Sequence, residues 1–371
     1  MVHVFLYIIG AQEDLAEGIK FALRKKFNRS TDKFYDIYLS QMDKIKLIEN
    51  SRFRLIRRIP TFRKMFREME KKISSIIALV NPVEPIFVYF SDEAVWGVVL
   101  RLINKKMGYR FTSINIQHGI FYLKDPQFIR FRQIANKIST WSLNYPIVGL
   151  GFGGAKSNYY LVYGSQEKEY LNNRLLQSHV IIAPRVIKYY AIKHHLGHQG
   201  TQFYPSNRGI LFAMQNLELR RDCKLTEREI YVLLKPSFEH IKSLGYSIYF
   251  RMHPGNSHKE KSLKWLRESG LSDIVVDAND TSVQHLMSKV QMIMSFYSTM
   301  FFDGYLLGKI PIVIEGIVET GKLTFPHETL NINNNWHVEF DNIIKKSGLV
   351  STSNMEELFD QEVIDISKIY Y

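Results

Sequence analysis

Val290-Gln291-Met292-Ile293-Met294-Ser295-Phe296-Tyr297-Ser298-Thr299-Met300 decides the fold. An apolar run of strand length, 290–295, gives way to hydroxyl residues and a helix-like stretch, 298–307. A second apolar run follows at 310–314. Strand, helix and strand in this order make a parallel pair with a crossover. Three hydroxyls, on Ser295, Ser298 and Thr299, sit where the strand ends. The first turn of a helix offers free N–H groups and a positive dipole end. With the Ser298 and Thr299 hydroxyls, that turn predicts a phosphate site. The alternative is plain N-capping by Ser298.

The same alternation extends upstream. Strands are expected at 210–214, 246–252 and 274–276, and helices at 226–243, 258–269 and 280–288. Thr226-x-x-Glu229 is a capping-box start. A closing helix is expected over 354–367. Residues 188–208 are polar and rich in His, Gly and Pro, and read as a linker. Ahead of them lies another series: strands at 2–9, 86–90, 112–117, 159–163 and 180–183, with helices at 13–27, from Ser91 or Asp92 to about 106, and at 165–176. The expected domains are 1–187 and 209–371, two Rossmann-type doubly wound α/β domains facing a central cleft. Ligands in such sheets bind beyond the carboxyl ends of the strands.

Those ends hold the other candidates. Arg251-Met252-His253-Pro254-Gly255 closes strand 246–252, and Pro254 fixes the chain as it leaves. His253 can donate to a phosphate oxygen or act as a general acid, or be a satisfied turn histidine. Gln117-His118-Gly119 follows strand 112–117, with His118 a candidate base and Gly119 allowing close approach of a ligand. Asp92, after strand 86–90, is a second candidate base or a helix cap. Glu315, after strand 310–314, can accept from a ribose or sugar hydroxyl or be a solvated loop residue.

The chain has 371 residues, of which 46% are hydrophobic and 23% charged, so wholesale disorder is excluded. The single Cys223 excludes a disulfide framework. The first ten residues read as a buried strand without a basic leader, and no stretch is apolar enough to span a bilayer, so a cytoplasmic protein is expected. Lys and Arg number 49 against 36 acids, a net charge of +13. Residues 51–72 carry nine of the bases, including Arg57, Arg58, Arg63 and Lys64, and two acids, with aromatic and aliphatic residues interleaved. Such a segment suits an anionic membrane surface, or is a solvated helix packed on its own domain. No nucleic-acid module accompanies it. Asp-x-Asp is absent and no metal is expected, and Gly149–Gly154 matches no dinucleotide fingerprint.

His253-Pro254, the Ser-Phe-Tyr-Ser-Thr of 295–299 and the Phe-Phe-Asp-Gly-Tyr-Leu-Leu-Gly-Lys-Ile-Pro of 301–311 come in an order that resembles the nucleotide-binding half of GT-B-type glycosyltransferases of bacterial surface polysaccharides. The CDP-glycerol glycerophosphotransferase and the bacterial sialyl- and polysialyltransferase groups are the most similar, and Ala183-Pro184-Arg185 resembles the last turn of their first domain. The resemblance implies a GT-B fold. It implies an acceptor base at His118 and donor phosphates held by Arg251, His253, Pro254, Ser295, Ser298 and Thr299. Gln117 and Gly119 would face the acceptor. The sequence departs from the sialyltransferase base motif, since Ser91-Asp92-Glu93-Ala94 lacks its glycine. The implied activity moves a sugar (hexosyl-, sialyl- or Kdo-type) from a CMP-, CDP- or UDP-linked donor to a glycan or lipid-linked glycan of capsule or lipopolysaccharide type. It would invert and use no cofactor, at the inner face of the cell membrane. A CDP-polyol phosphotransferase, a nucleotide-sugar 2-epimerase and a non-enzymatic membrane or nucleic-acid binding protein are the alternatives.

Overall fold

The structure is a computed structural model and describes residues 4–9, 13–27, 33–38, 54–90, 96–117, 156–173, 178–189, 193, 208–215, 217, 223, 225–253, 258–318, 327–332, 336–346, 355–367 and 369. The chain forms two compact units, Met1–Ala191 with Leu358–Tyr371, and Ile192–Glu357.

The first unit holds six parallel strands: β1 (Val4–Ile9), β2 (Lys33–Tyr38), β3 (Ile86–Phe90), β4 (Thr112–Ile116), β5 (Tyr159–Val162) and β6 (His179–Ile182). Their order is β2-β1-β3-β4-β5-β6. The sequence reverses direction between β1 and β3, which is the switch point of a doubly wound sheet. β3 is buried along its whole length, as an inner parallel strand covered on both faces must be. Helices α1 (Glu13–Phe27), α2 (Arg54–Ile77), α3 (Trp96–Lys106) and α4 (Ser165–Asn172) connect the strands. The basic segment is therefore the larger part of α2. Met69 and Ile73 of α2 are buried in the core, with Phe66 packed beside them, while Arg63, Lys64, Arg67 and Lys71 face solvent. The later half of that apolar stripe is thus spent on its own unit. The side chains of Arg57 and Arg58 lie outside the described residues.

The second unit has β7 (Gly209–Met214), β8 (Ser247–Met252), β9 (Val275–Asp277), β10 (Met292–Ser295), β11 (Ile310–Glu315) and β12 (Glu328–Asn331), with α5 (Glu227–Ser243), α6 (Lys259–Glu268), α7 (Val283–Lys289), α8 (Met300–Leu306) and α9 (Trp336–Lys346). All strand pairs are parallel. The order β12-β11-β10-β7-β8-β9 is the dinucleotide-fold order read from its far edge. The first strand, β7, sits at the centre, and the switch point lies between it and β10. Helix α5 starts on the expected capping box: Thr226 accepts from the Glu229 N–H and the Glu229 carboxylate from the Thr226 N–H.

The last helix, α10 (Met355–Ser367), departs from the expected division. From Leu358 onward it belongs to the first unit, not to a second domain running to residue 371. Glu362 is the reason. Its carboxylate accepts from the Arg185 and Val186 N–H groups at 2.8 and 3.1 Å and from the Arg185 guanidinium at 2.7 Å. The π-helical turn Arg185–Tyr189, opened by these amides, is thereby capped by a residue 177 positions away.

Candidate functional site

In the second unit the site residues stand at the carboxyl edge of the sheet, on either side of the switch point. β10 ends at Ser295 and the chain turns through Phe296, Tyr297, Ser298 and Thr299 before α8 begins at Met300. The helix thus starts two residues later than expected and is only seven residues long, so its macrodipole contributes less than a long helix would. The turn supplies the donors instead. The Thr299 side chain caps no helical N–H, although its carbonyl accepts from the Phe302 N–H at 3.0 Å. Among the described residues the Thr299 N–H, its hydroxyl and the Ser298 N–H have no partner. The buried Ser298 hydroxyl accepts from the Met300 N–H at 3.2 Å, so it holds the turn in shape.

Ser295 does something other than bind a donor. It is fully buried, and its hydroxyl donates to the Ala213 carbonyl at 2.6 Å. The β7–β10 pairing reaches Met294 opposite Phe212, and Ser295 extends the join by one side-chain bond where the strands begin to part. Arg251 is likewise engaged: its guanidinium donates to the carbonyls of Ala278, at 3.1 Å, and Thr281. It fixes the loop between β9 and α7 rather than a ligand phosphate. Burial lowers its pKa, with the Asp280 charge acting in the other direction.

His253 leaves the end of β8 exposed to solvent. Nearby protein still displaces enough water to lower its pKa below the ordinary histidine value. That burial favours the neutral imidazole, whose ring N–H can still donate to an anion. Glu315 ends β11 half-buried, and its carboxylate has no partner among the described residues. Between β8 and β11 lie β7 and β10. Three inter-strand steps of about 4.8 Å put His253 and Glu315 about 14 Å apart along the edge, with the Ser298–Thr299 turn between them. Pro254 lies outside the described residues.

The first unit's edge is built differently. Gln117, just after β4, is fully buried. Its side-chain oxygen accepts from the Tyr163 N–H at 2.9 Å and its amide donates to Glu167 at 3.3 Å. It therefore joins the ends of β4 and β5 and is not positioned to touch an acceptor. Glu167, in the first turn of α4, is only 7% exposed and was not among the sequence candidates. Its second oxygen has no hydrogen-bond partner, and burial raises its pKa. The sequence signal was faint: an acid inside a helix-start pattern reads as an ordinary first-turn charge. Asp92, His118, Gly119 and the glycine-rich 149–154 lie outside the described residues. Among the described residues no cluster of three or more His, Cys, Asp or Glu side chains is arranged to hold a metal.

No protein-family model and no curated protein matches the chain in sequence. Solved structures match in fold. UDP-GlcNAc 2-epimerase from Neisseria meningitidis, solved with UDP-GlcNAc, is similar at a TM-score of 0.54 and 12% identity, over 98% of this chain and 100% of that one. The UDP-forming α,α-trehalose-phosphate synthase of Burkholderia vietnamiensis is similar at a TM-score of 0.51 and 10% identity, over 98% and 96%. MnaA of S. aureus, solved with UDP, gives 0.51 and 10% over 100% and 89%. The chain has the fold of these GT-B-type proteins, two Rossmann-type units each with a parallel six-stranded sheet. At 10–12% identity these three structures show the fold alone, and none of them is a sialyltransferase or a glycerophosphotransferase.

Proposed function

We propose that this protein is a glycosyltransferase that takes a sugar from a nucleotide-linked donor, with the nucleotide on the second unit. The observation that carries this reading is the row of polar groups at the switch-point edge: His253, the unpartnered Ser298 and Thr299 N–H groups, the Thr299 hydroxyl and Glu315. Donors at the centre suit phosphate oxygens, and a carboxylate one strand away suits the ribose hydroxyls. In the transfer, an acceptor hydroxyl loses its proton to His118 or Asp92 and attacks the anomeric carbon. The bond to the nucleotide phosphate breaks, and its charge develops against the Ser298–Thr299 donors and the His253 N–H. Attack opposite the leaving group inverts the anomeric centre. The acceptor proposed is a glycan hydroxyl, lipid-linked in a surface polysaccharide pathway. UDP is the first nucleotide to test because the similar structures carry it, with CMP and CDP next.

Thermal unfolding with UDP, CDP, CMP and GDP tests the donor site. The right nucleotide at one hundred times its dissociation constant stabilises the fold by about 2.7 kcal/mol. Thr299→Ala and Glu315→Gln should each weaken it about tenfold, the loss of roughly one good hydrogen bond to a charged group. If no nucleotide shifts the transition, the reading is wrong.

A second reading is a UDP-GlcNAc 2-epimerase, favoured by the first of the similar structures, which is covered along its entire length. An epimerase needs no acceptor hydroxyl. Conversion of UDP-GlcNAc alone, followed by proton NMR, would establish it. A CDP-polyol phosphotransferase would instead leave a phosphodiester in the product.

A further inference from the structure

The amino edge of the first unit's sheet carries an unusual surface. Among the described residues the three most exposed large apolar side chains are Val83 at 80%, Leu79 at 75% and Tyr109 at 70%; the next reach 57%. Single exposed apolar residues are ordinary, but these three are gathered on two loops. Leu79 and Val83 lie in the segment leading from α2 into β3, and Tyr109 in the turn leading from α3 into β4. The strands are parallel neighbours, so both loops open on the same edge.

Arg110 ties the loops together. Its guanidinium donates to the Glu84 carbonyl at 3.0 Å and to the Asn81 carbonyl at 2.8 Å. Asn81 in turn accepts from the Val83 N–H with its side chain and from the Glu84 N–H with its carbonyl, closing a tight turn around exposed Pro82. Tyr109 has φ of 61°, a left-handed conformation that costs a tyrosine energy. The backbone is thus held so that an aromatic ring stands in water.

The charges around these side chains are basic. Lys105 and Lys106 end α3 exposed, and Arg110 follows Tyr109. The two nearby acids are paired, Glu70 with Lys106 and Glu84 with Lys33, the first residue of β2 on the same edge. Aliphatic tips, a tyrosine and a ring of lysines are the chemistry of a bilayer interface: the apolar tips enter the acyl boundary, the tyrosine ring sits at headgroup depth, and the bases meet anionic lipid. No helix of the described residues is long and apolar enough to cross a membrane. The later apolar stripe of α2, which runs down to this edge, is already buried in its own unit.

We propose that the Leu79–Val83 and Tyr109 loops, ringed by Lys105, Lys106 and Arg110, seat the protein on an anionic membrane surface. The face lies at the edge of the sheet opposite to the strand ends that lead to Asp92 and His118, so docking and chemistry are separable.

The test is co-sedimentation of the full chain with vesicles of phosphatidylcholine and phosphatidylglycerol, and with phosphatidylcholine alone. Leu79→Ser and Val83→Ser with Tyr109→Asn remove the apolar tips; asparagine tolerates the left-handed backbone. Lys105→Glu with Lys106→Glu reverses the ring. Each set should weaken binding to the mixed vesicles on the order of tenfold or more, and the wild type should bind neutral vesicles far less. Circular dichroism melts of the variants confirm that they fold. Equal binding by wild type and both variants overturns the proposal, as does failure of the wild type to bind. A patch that instead joins two copies would show in sedimentation equilibrium as a dimer lost in the apolar variant, with vesicle binding unchanged, and that also overturns it.

Discussion

At the end of β4 in the first unit, Gln117 spends both ends of its amide on neighbours and Glu167 holds a buried carboxyl beside it. At the end of β10 in the second unit, Thr299 offers an N–H and a hydroxyl to nothing among the described residues, and Glu315 one strand away does the same with its carboxylate. Both edges are polar, and both crown six parallel strands. The difference is where the hydrogen bonds go. A polar group satisfied inside the protein builds the edge. A group still bonded to water can exchange that water for a ligand oxygen at little cost. Polarity at a strand end is therefore a poor guide to a site until its partners are known, and Ser295 and Arg251 in the second unit make the same point.

The two units also differ in how the chain supplies them. The second is continuous, whereas the first is completed by a helix from the far end of the sequence. That contrast makes the largest prediction. Glu362→Ala leaves the largely buried Arg185 guanidinium without its carboxylate and uncaps two backbone N–H groups. Breaking a buried pair from one side costs about 3–5 kcal/mol. Calorimetry should show the first unit's transition falling while a nucleotide-stabilised second unit keeps its own. A loss under about 1 kcal/mol would mean that the clasp is solvated and weak.

A pair of glycines compares the backbones. At Gly209, the start of β7, a Cβ would sit 2.3 Å from the Lys289 carbonyl oxygen, which is backbone and cannot swing aside. Gly209→Ala should cost about 3 kcal/mol or more. At Gly108 the space is open and only φ of 70° opposes a side chain, so Gly108→Ala should cost about 1 kcal/mol. Urea midpoints of the two variants check the order, and a reversed order would show that β7 shifts to admit the methyl.

The strands that sequence made legible are those whose apolar run is continuous, such as Ile86–Phe90 and Ile310–Ile314, because inner parallel strands are buried on both faces. The expectation missed β2 and β12. Each is one of the two outer strands of its sheet, and Lys33-Phe34-Tyr35-Asp36 and Glu328-Thr329-Leu330-Asn331 carry the polar residues an open edge tolerates, whereas the other outer strands, β6 and β9, keep the short apolar runs that sequence reads. Helix α9 was missed as well, following a stretch of asparagines that reads as loop. For the candidate site, what sequence shows is that these residues stand at strand ends, since hydroxyls and histidines after apolar runs mark where a parallel sheet stops. It could not tell Thr299 from Ser295, because which hydroxyl turns inward depends on a carbonyl 82 residues away. Glu167 was hidden for the same reason, its neighbour Gln117 lying 50 positions upstream.

The smallest predicted effect probes the first unit's edge directly. Burial raises the Glu167 pKa, against weaker opposing hydrogen bonds from its own backbone and Gln117. A carboxyl whose folded pKa exceeds its unfolded value contributes stability that is complete below the unfolded pKa and is lost as pH rises through the folded value. Glu167→Gln removes that loss while keeping an oxygen to accept from Gln117. The variant should therefore match the wild type near pH 4 and be the more stable of the two at pH 7.5, measured by urea midpoints. A protein that keeps so poorly solvated a carboxylate gives up stability there, and such sacrifices collect where function needs them. If turnover falls in Glu167→Gln while nucleotide still stabilises the second unit, the inward-turned edge acts indirectly, by holding the strand end that leads to His118. If the midpoints differ no more at pH 7.5 than at pH 4, the carboxyl is hydrated after all and the contrast between the two edges narrows.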